Sequence, residues 1–269
     1  MLFAWQQLVD TDAAYESGQD VYQHIFADHI LFPLQRRREC EKMTARVREI
    51  FAEQDREPKV FVEIGSDKGG SVYHWLKAFP SVNRAVALEM RGVPWQNWAS
   101  ATFPAVDIRG VYGSSFDAMN VHRVQNICLE QEPIDILFID GHKGEFRRDF
   151  DCYLPLMRPG GVIVMHDILV QAPGRAFRSM QRDGFKTEEI IDTTERLADV
   201  PAAWDCGSGS KANLAGYAWW LSHWETTSCG VGLIHVPSDD IADDSTELES
   251  EVEVSEEREI GREIELVGA

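Results

Sequence analysis

At 269 residues with 44% hydrophobic side chains, the chain is long enough to bury one sizeable domain with extensions. A formal net charge of −19 argues against a nucleic-acid partner, because phosphate contacts need clustered lysine and arginine. No charged-then-apolar leader and no apolar run of about eighteen residues occurs, so neither secretion nor membrane spanning is expected; five scattered cysteines without a CxxC pair predict reduced thiols in a cytoplasmic protein.

Residues 1–32 carry aromatic and apolar side chains without a clear period and predict short helices packed on the main domain. From Pro33 to about Gln54 a helix is predicted, with Met43, Val47, Ile50 and Phe51 on one face at spacings of three and four. Together these form an N-terminal helical extension over 1–58, a contact surface for a homo-oligomer.

Five apolar runs follow: KVFVEIG (59–65), RAVALEM (84–90), IRGVYG (108–113), IDILFIDG (134–141) and GGVIVMHDI (160–168). Continuous apolarity suits parallel strands covered on both faces, and the intervening lengths suit βα crossovers, with helical spacing at 117–131 and 145–157, the latter helix started by Glu145 and Asp149. A helix at 173–182, a strand at EEIID and a last strand at CGVGLIHV (229–236) complete the domain, 59–236. The expected fold is α/β: an open, mostly parallel seven-stranded Rossmann-like sheet with helices on both faces. Residues 194–228, carrying Trp204, Trp219, Trp220 and Trp224, predict an insertion that covers the active side or packs as an extra helix. Residues 237–269 hold 13 acidic and 2 basic side chains, which predicts a self-repelling, disordered tail.

The chemistry concentrates at the ends of the strands, where an open α/β sheet binds its ligands. FVEIGSDKGGS (61–71) joins a strand to a glycine-rich turn, where Gly65 and Gly69 permit close approach of a ligand to backbone N–H groups. The spacing is not GxGxxG, which weakens a nicotinamide dinucleotide reading. Glu89 ends the next strand, where a carboxylate can accept both hydroxyls of a ribose, and Ser114 and Ser115 follow the third. These point to an adenosine cofactor. Asp140 ends the fourth strand and His166-Asp167 the fifth; adjacent parallel strands bring such carboxylates together, which suits Mg²⁺, with His166 as a third ligand favouring Mn²⁺, Fe²⁺ or Zn²⁺.

Over about 59–182 the chain resembles class I S-adenosylmethionine-dependent methyltransferases. The resemblance is to metal-dependent small-molecule O-methyltransferases of the sugar and catechol types, and to the cephalosporin-hydroxylase-like group. It implies S-adenosylmethionine as cofactor, cradled by Glu63, Gly65, Ser66, Gly69 and Ser71, with Glu89 on the ribose, Ser114 and Ser115 near adenine, and Asp140 at the shared edge. It also implies a divalent cation held by Asp140, His166 and Asp167, and methyl transfer to a hydroxyl of a small polar acceptor. His142 and Lys143 stand where such enzymes place their base; histidine is preferred, because a lysine amine needs a substantial pKa depression to accept a proton near neutrality. Two alternatives remain, a regulatory cofactor-binding protein and an enzyme of different chemistry on the same fold.

Overall fold

The apolar runs become strands because both of their faces are buried. A computed structural model describes residues 37–67, 69–93, 95–129, 132–191 and 229–238. The helices predicted within residues 1–32, the segment predicted as a tryptophan-rich insertion and nearly all of the acidic tail lie outside the described residues. The chain divides into two units, Met1–Val236 and Pro237–Ala269, and every element named below belongs to the first.

The strands are β1 (Val60–Ile64), β2 (Arg84–Glu89), β3 (Asp107–Tyr112), β4 (Ile134–Ile139), β5 (Met157–His166), β6 (Thr187–Ile190) and β7 (Val231–His235). The described residues form one seven-stranded sheet in the order β3-β2-β1-β4-β5-β7-β6. The pairs among β1 to β5 are parallel, whereas β7 runs antiparallel to both β5 and β6. Every residue of β1 and β4 is buried, while β3, on the sheet edge, alternates between buried and more exposed positions. Mostly parallel order was legible in the sequence; the reversed strand inserted between β5 and β6 was not.

Helices cover both faces. The first face packs α1 (Arg37–Glu53), α2 (Gly70–Ala78) and α3 (Gln96–Thr102) on Phe61, Ala85, Ala87, Ile136, Phe138, Val162 and Val164. The second packs α4 (Ala118–Leu129), α5 (Phe146–Tyr153) and α6 (Gln171–Arg182) on Val62, Ile64, Val86, Leu88, Leu137, Ile139, Ile163 and Met165. Odd and even strand residues thus serve opposite cores, as the two-residue period of a strand dictates. The predicted stripe on α1 is observed: Met43, Val47, Ile50 and Phe51 are all buried.

Two ends differ from the sequence reading for local reasons. The helix expected over 145–157 stops at Tyr153 and tightens into a 3-10 turn, Leu154–Leu156, that contains Pro155. β5 stops at His166 because Asp167 adopts a left-handed backbone, φ 60°, which turns its side chain out of the strand register. Among the described residues no helix is long and apolar enough to cross a membrane.

At the opposite end of the sheet from those turns, buried Asp135 ties three segments together. Its Oδ2 accepts from the backbone N–H groups of Lys59 (2.7 Å) and Val60 (3.0 Å). Its Oδ1 accepts from Arg56 (2.9 Å) and Arg158 (2.8 Å). Four donors on one carboxylate satisfy the charge inside the protein, the condition under which a buried ion is tolerated.

Candidate active site

Strand parity selects which face carries the chemistry. On β1, β2, β4 and β5 the residues Phe61, Ala87, Phe138 and Val164 point to the core under α1 and α2. Two positions further along each chain, Glu63, Glu89, Asp140 and His166 follow on that same face. The sequence therefore delivers four ionisable side chains to one edge of the sheet without any special loop geometry.

The glycine turn closes that edge on the cofactor side. Gly65 has φ 89°, and a Cβ there would stand 2.5 Å from the Asp140 carbonyl oxygen. Gly69 has φ 81° and lies under the Trp95 indole, 2.6 Å from where a Cβ would be. Both positions need glycine, for backbone conformation and for space. Ser71 at the start of α2 donates to Glu63 Oε1. Burial holds the Glu63 carboxyl well above the usual range, against the Ser71 contact, and the Asp140 and Glu89 carboxylates push it the same way. Glu63 therefore holds its proton more tightly than a solvated carboxyl does. Glu89 is gripped by two backbone amides, Asp67 N–H on Oε2 and Arg91 N–H on Oε1, each at 3.0 Å. That fixes the carboxylate and leaves lone pairs for a further donor pair. Glu63 Oε2, Ser66 Oγ and Ser114 Oγ are buried without a hydrogen-bond partner among the described residues. Orphaned polar atoms beside a glycine cradle fit a polar ligand such as an adenosine cofactor. Met90, 64% exposed beside Glu89, supplies an apolar surface that the sequence reading missed.

The second half of the site lies at the tips of β4 and β5. One ligand atom from each of Asp140, His166 and Asp167 lies within 4.8 Å of the others. His166 Nδ1 stands 3.3 Å from Asp140 Oδ1 and 3.2 Å from Asp167 Oδ1. Lys143 Nζ bridges the same pair, 2.6 Å from Asp140 Oδ1 and 2.5 Å from Asp167 Oδ2. Burial alone would lower the His166 pKa, but the Asp167 and Asp140 carboxylates overcome it and lift it to about 10. Burial likewise opposes the Lys143 charge, and the same two carboxylates outweigh it and raise its pKa. Asp167 and Asp140 are held below the usual carboxylate range, against burial, chiefly by His166 and then Lys143. Two anions therefore face two cations in a balanced cluster. Two carboxylate oxygens and an imidazole nitrogen also fit a divalent cation, by donor type and by spacing.

On its far side, His166 Nε2 lies 4.0 Å from Glu39 Oε2, a buried carboxylate on α1 whose Oε1 accepts from Gly230 N–H at 3.1 Å. The sequence reading gave Glu39 no role; the structure places it in the first turn of α1. At that distance the two groups are near neighbours without a hydrogen bond between them, and His166 Nε2 makes none among the described residues.

The structure does not bring His142 into this cluster. Its exposed side chain lies nearer Gly144, in the neighbourhood of Asp149 on the second face of the sheet. There Ser115 Oγ donates to Asp149 Oδ1 at 2.5 Å, and Tyr153 OH donates to the Ser115 carbonyl at 2.8 Å. Asp149 read from sequence as a helix-start residue; it does stand in the first turn of α5, yet it is buried against the loop predicted to meet adenine. Burial, partly offset by Ser115, raises its pKa to about 6. A free aspartate titrates near about 3.9, so the folded chain holds this proton more tightly than the unfolded one. That contribution is fully present below about pH 4 and is lost as pH rises through about 6. Urea unfolding should therefore show the wild type losing stability relative to Asp149→Asn between those two values; parallel pH profiles would contradict the assignment.

A methyltransferase-domain family model matches residues 62–168. Among proteins of known structure, the O-methyltransferase from Bacillus cereus in complex with SAH is 15% identical with a TM-score of 0.50, covering 86% of this chain and 90% of its own. The O-methyltransferase TomG from Streptomyces achromogenes, involved in tomaymycin synthesis and solved with SAM, is 15% identical with a TM-score of 0.48, over the same shares of 86% and 90%. No curated protein sequence matches the chain. The strand order with its reversed β7, the glycine turn after β1 and the matched domain give this chain a class I S-adenosylmethionine-methyltransferase fold, like that of the Bacillus cereus protein.

Proposed function

We propose that the chain transfers a methyl group from S-adenosylmethionine to a hydroxyl of a small polar acceptor, a sugar, glycoside or catechol-like diol, with a divalent cation at Asp140, His166 and Asp167. The observation that carries this reading is the placement of Glu63, Glu89, Asp140 and His166 along one sheet edge, with the glycine turn at one end and the acid pair at the other. Glu89, already fixed by two amides, accepts the ribose hydroxyls. Gly65, Ser66, Gly69, Ser71 and Glu63 surround the methionine portion, and Ser114 and Ser115 meet the adenine edge. In the reaction the acceptor oxygen forms a bond to the methyl carbon as the carbon–sulfur bond breaks, and the hydroxyl proton passes to a base. A divalent cation, Mg²⁺ or Mn²⁺, supplies the acidity that orients a diol and eases loss of that proton when bound. His142 and Lys143 are the candidate proton acceptors. Of the two, Lys143 already stands at the acid pair, and it has to leave the carboxylates before its nitrogen offers a lone pair. The reading includes a cytoplasmic homo-oligomer assembled through the 1–58 extension.

Calorimetric titration of S-adenosylhomocysteine tests the cofactor half. Wild type should bind it, and Glu89→Ala should bind roughly 10- to 100-fold more weakly, the effect of losing a pair of charge-assisted hydrogen bonds. Equal affinity in the two proteins would remove Glu89 from the site. Methyl transfer from S-adenosylmethionine to a panel of sugar diols and catechols, with Mg²⁺ or Mn²⁺ supplied, tests the chemical half.

A further inference from the structure

We propose that Lys143 is a tethered cation that occupies the divalent-metal position, so that metal loads onto this site by exchange for the lysine ammonium. The inference rests on the proposed metal site and adds to it a built-in competitor. The geometry is direct. Nζ touches Asp140 Oδ1 at 2.6 Å and Asp167 Oδ2 at 2.5 Å, one oxygen from each of the two carboxylates the metal needs. A magnesium ion bound to those same oxygens at about 2.1 Å would overlap the ammonium, and their charges repel. One seat therefore holds one cation at a time.

Three further observations describe how the exchange runs. The Asp140 and Asp167 side chains are 9% and 12% exposed, whereas Lys143 is 41% exposed, so the amine can swing out to solvent without opening the core. The Phe146 ring lies 5.4 Å from Nζ and offers the ammonium a second, weaker partner. His166 keeps its place because its ring is buried and packed edge-on against Phe138. The mobile group of the cluster is thus the lysine, and the fixed one is the histidine. Exchange replaces one positive charge with two between the same aspartates, and it frees the amine on the acceptor side of the site. Metal occupancy and the availability of Lys143 for chemistry become a single event.

The test is Mn²⁺ binding, followed by calorimetry and by the loss of free-ion electron-paramagnetic signal, in wild type, Lys143→Met, Lys143→Arg and Asp140→Asn. S-adenosylhomocysteine binding and thermal unfolding of each variant report whether it is folded. Lys143→Met should bind Mn²⁺ about tenfold or more tightly than wild type, while Lys143→Arg, which keeps a tethered charge, should stay close to wild type. If Lys143→Met and wild type bind equally, and Asp140→Asn abolishes binding in the same assay, the exchange is wrong and the metal site stands. If no protein binds Mn²⁺ while all bind S-adenosylhomocysteine, the metal site and the exchange fall together. A second measurement uses the unaltered chain: reductive methylation read by peptide mass spectrometry. Lys143 should be protected without Mg²⁺ and become labelled when Mg²⁺ saturates. Labelling that ignores Mg²⁺ would overturn the proposal even if Lys143→Met does not fold.

Discussion

Gly65→Ala is expected to lose about 2–5 kcal/mol of stability and to bind neither S-adenosylhomocysteine nor metal normally. The added methyl would stand 2.5 Å from the carbonyl oxygen of Asp140, 2.7 Å from its carbonyl carbon and 2.7 Å from the Gly141 Cα. All three are backbone atoms, so no side chain can rotate away. Either the tip of β1 or the tip of β4 has to move, and those tips carry the cofactor turn and the first aspartate of the acid pair. Gly184 supplies the control. It has the same φ of 89°, but a Cβ there meets nothing within 4 Å. Gly184→Ala should cost only about 1 kcal/mol, the price of a left-handed alanine. Urea unfolding and ligand calorimetry on the two variants separate backbone conformation from the clash. Equal losses would mean that the contact between the two strand tips does not matter.

The largest expected effect away from the site is at Asp135. Asp135→Ala should lose about 3–5 kcal/mol, because it leaves the Arg56 and Arg158 charges and two backbone amides without their shared acceptor. Asp135→Asn should fall between the two proteins. One amide oxygen can serve either the guanidinium pair or the strand amides, but not both. Because this latch sits at the far end of the sheet, S-adenosylhomocysteine affinity of the folded protein should hardly change. A midpoint in urea that does not move for Asp135→Ala would show that the latch contributes nothing.

These two sites illustrate what a sequence exposes and what it hides. The strands were legible because parallel strands buried on both faces must be apolar along their length, as IDILFIDG is. The same run hid Asp135: one carboxylate in an apolar strand looks like an interruption, and its four donors come from segments far apart in the chain. Glu89, Asp140, His166 and Asp167 were legible because they follow such runs immediately, where ligands collect. The bridge that Lys143 makes between two strand tips depends on a side-chain torsion and carries no sequence signal. Glu39 was hidden for a different reason, since it belongs to a helix remote from every motif. Asp149 lay in plain view as a helix-start acid, and only burial against Ser115 distinguishes it from a solvated one. The reversal of β7 could not be read, because a short apolar run has no direction until its neighbours are placed.

The bond from Gly230 to Glu39 spans 191 residues, and β7 pairs with β5 from Val162 to His166. During synthesis, the edge of β5 that carries His166 stays open until that late strand emerges and slots in. Contacts of such high sequence separation are the slow kind, so completion of the β5 tip is expected late in folding. A ribosome-stalled chain ending after Ile190 would leave that margin of β5 unpaired, the kind of edge that chaperones cover.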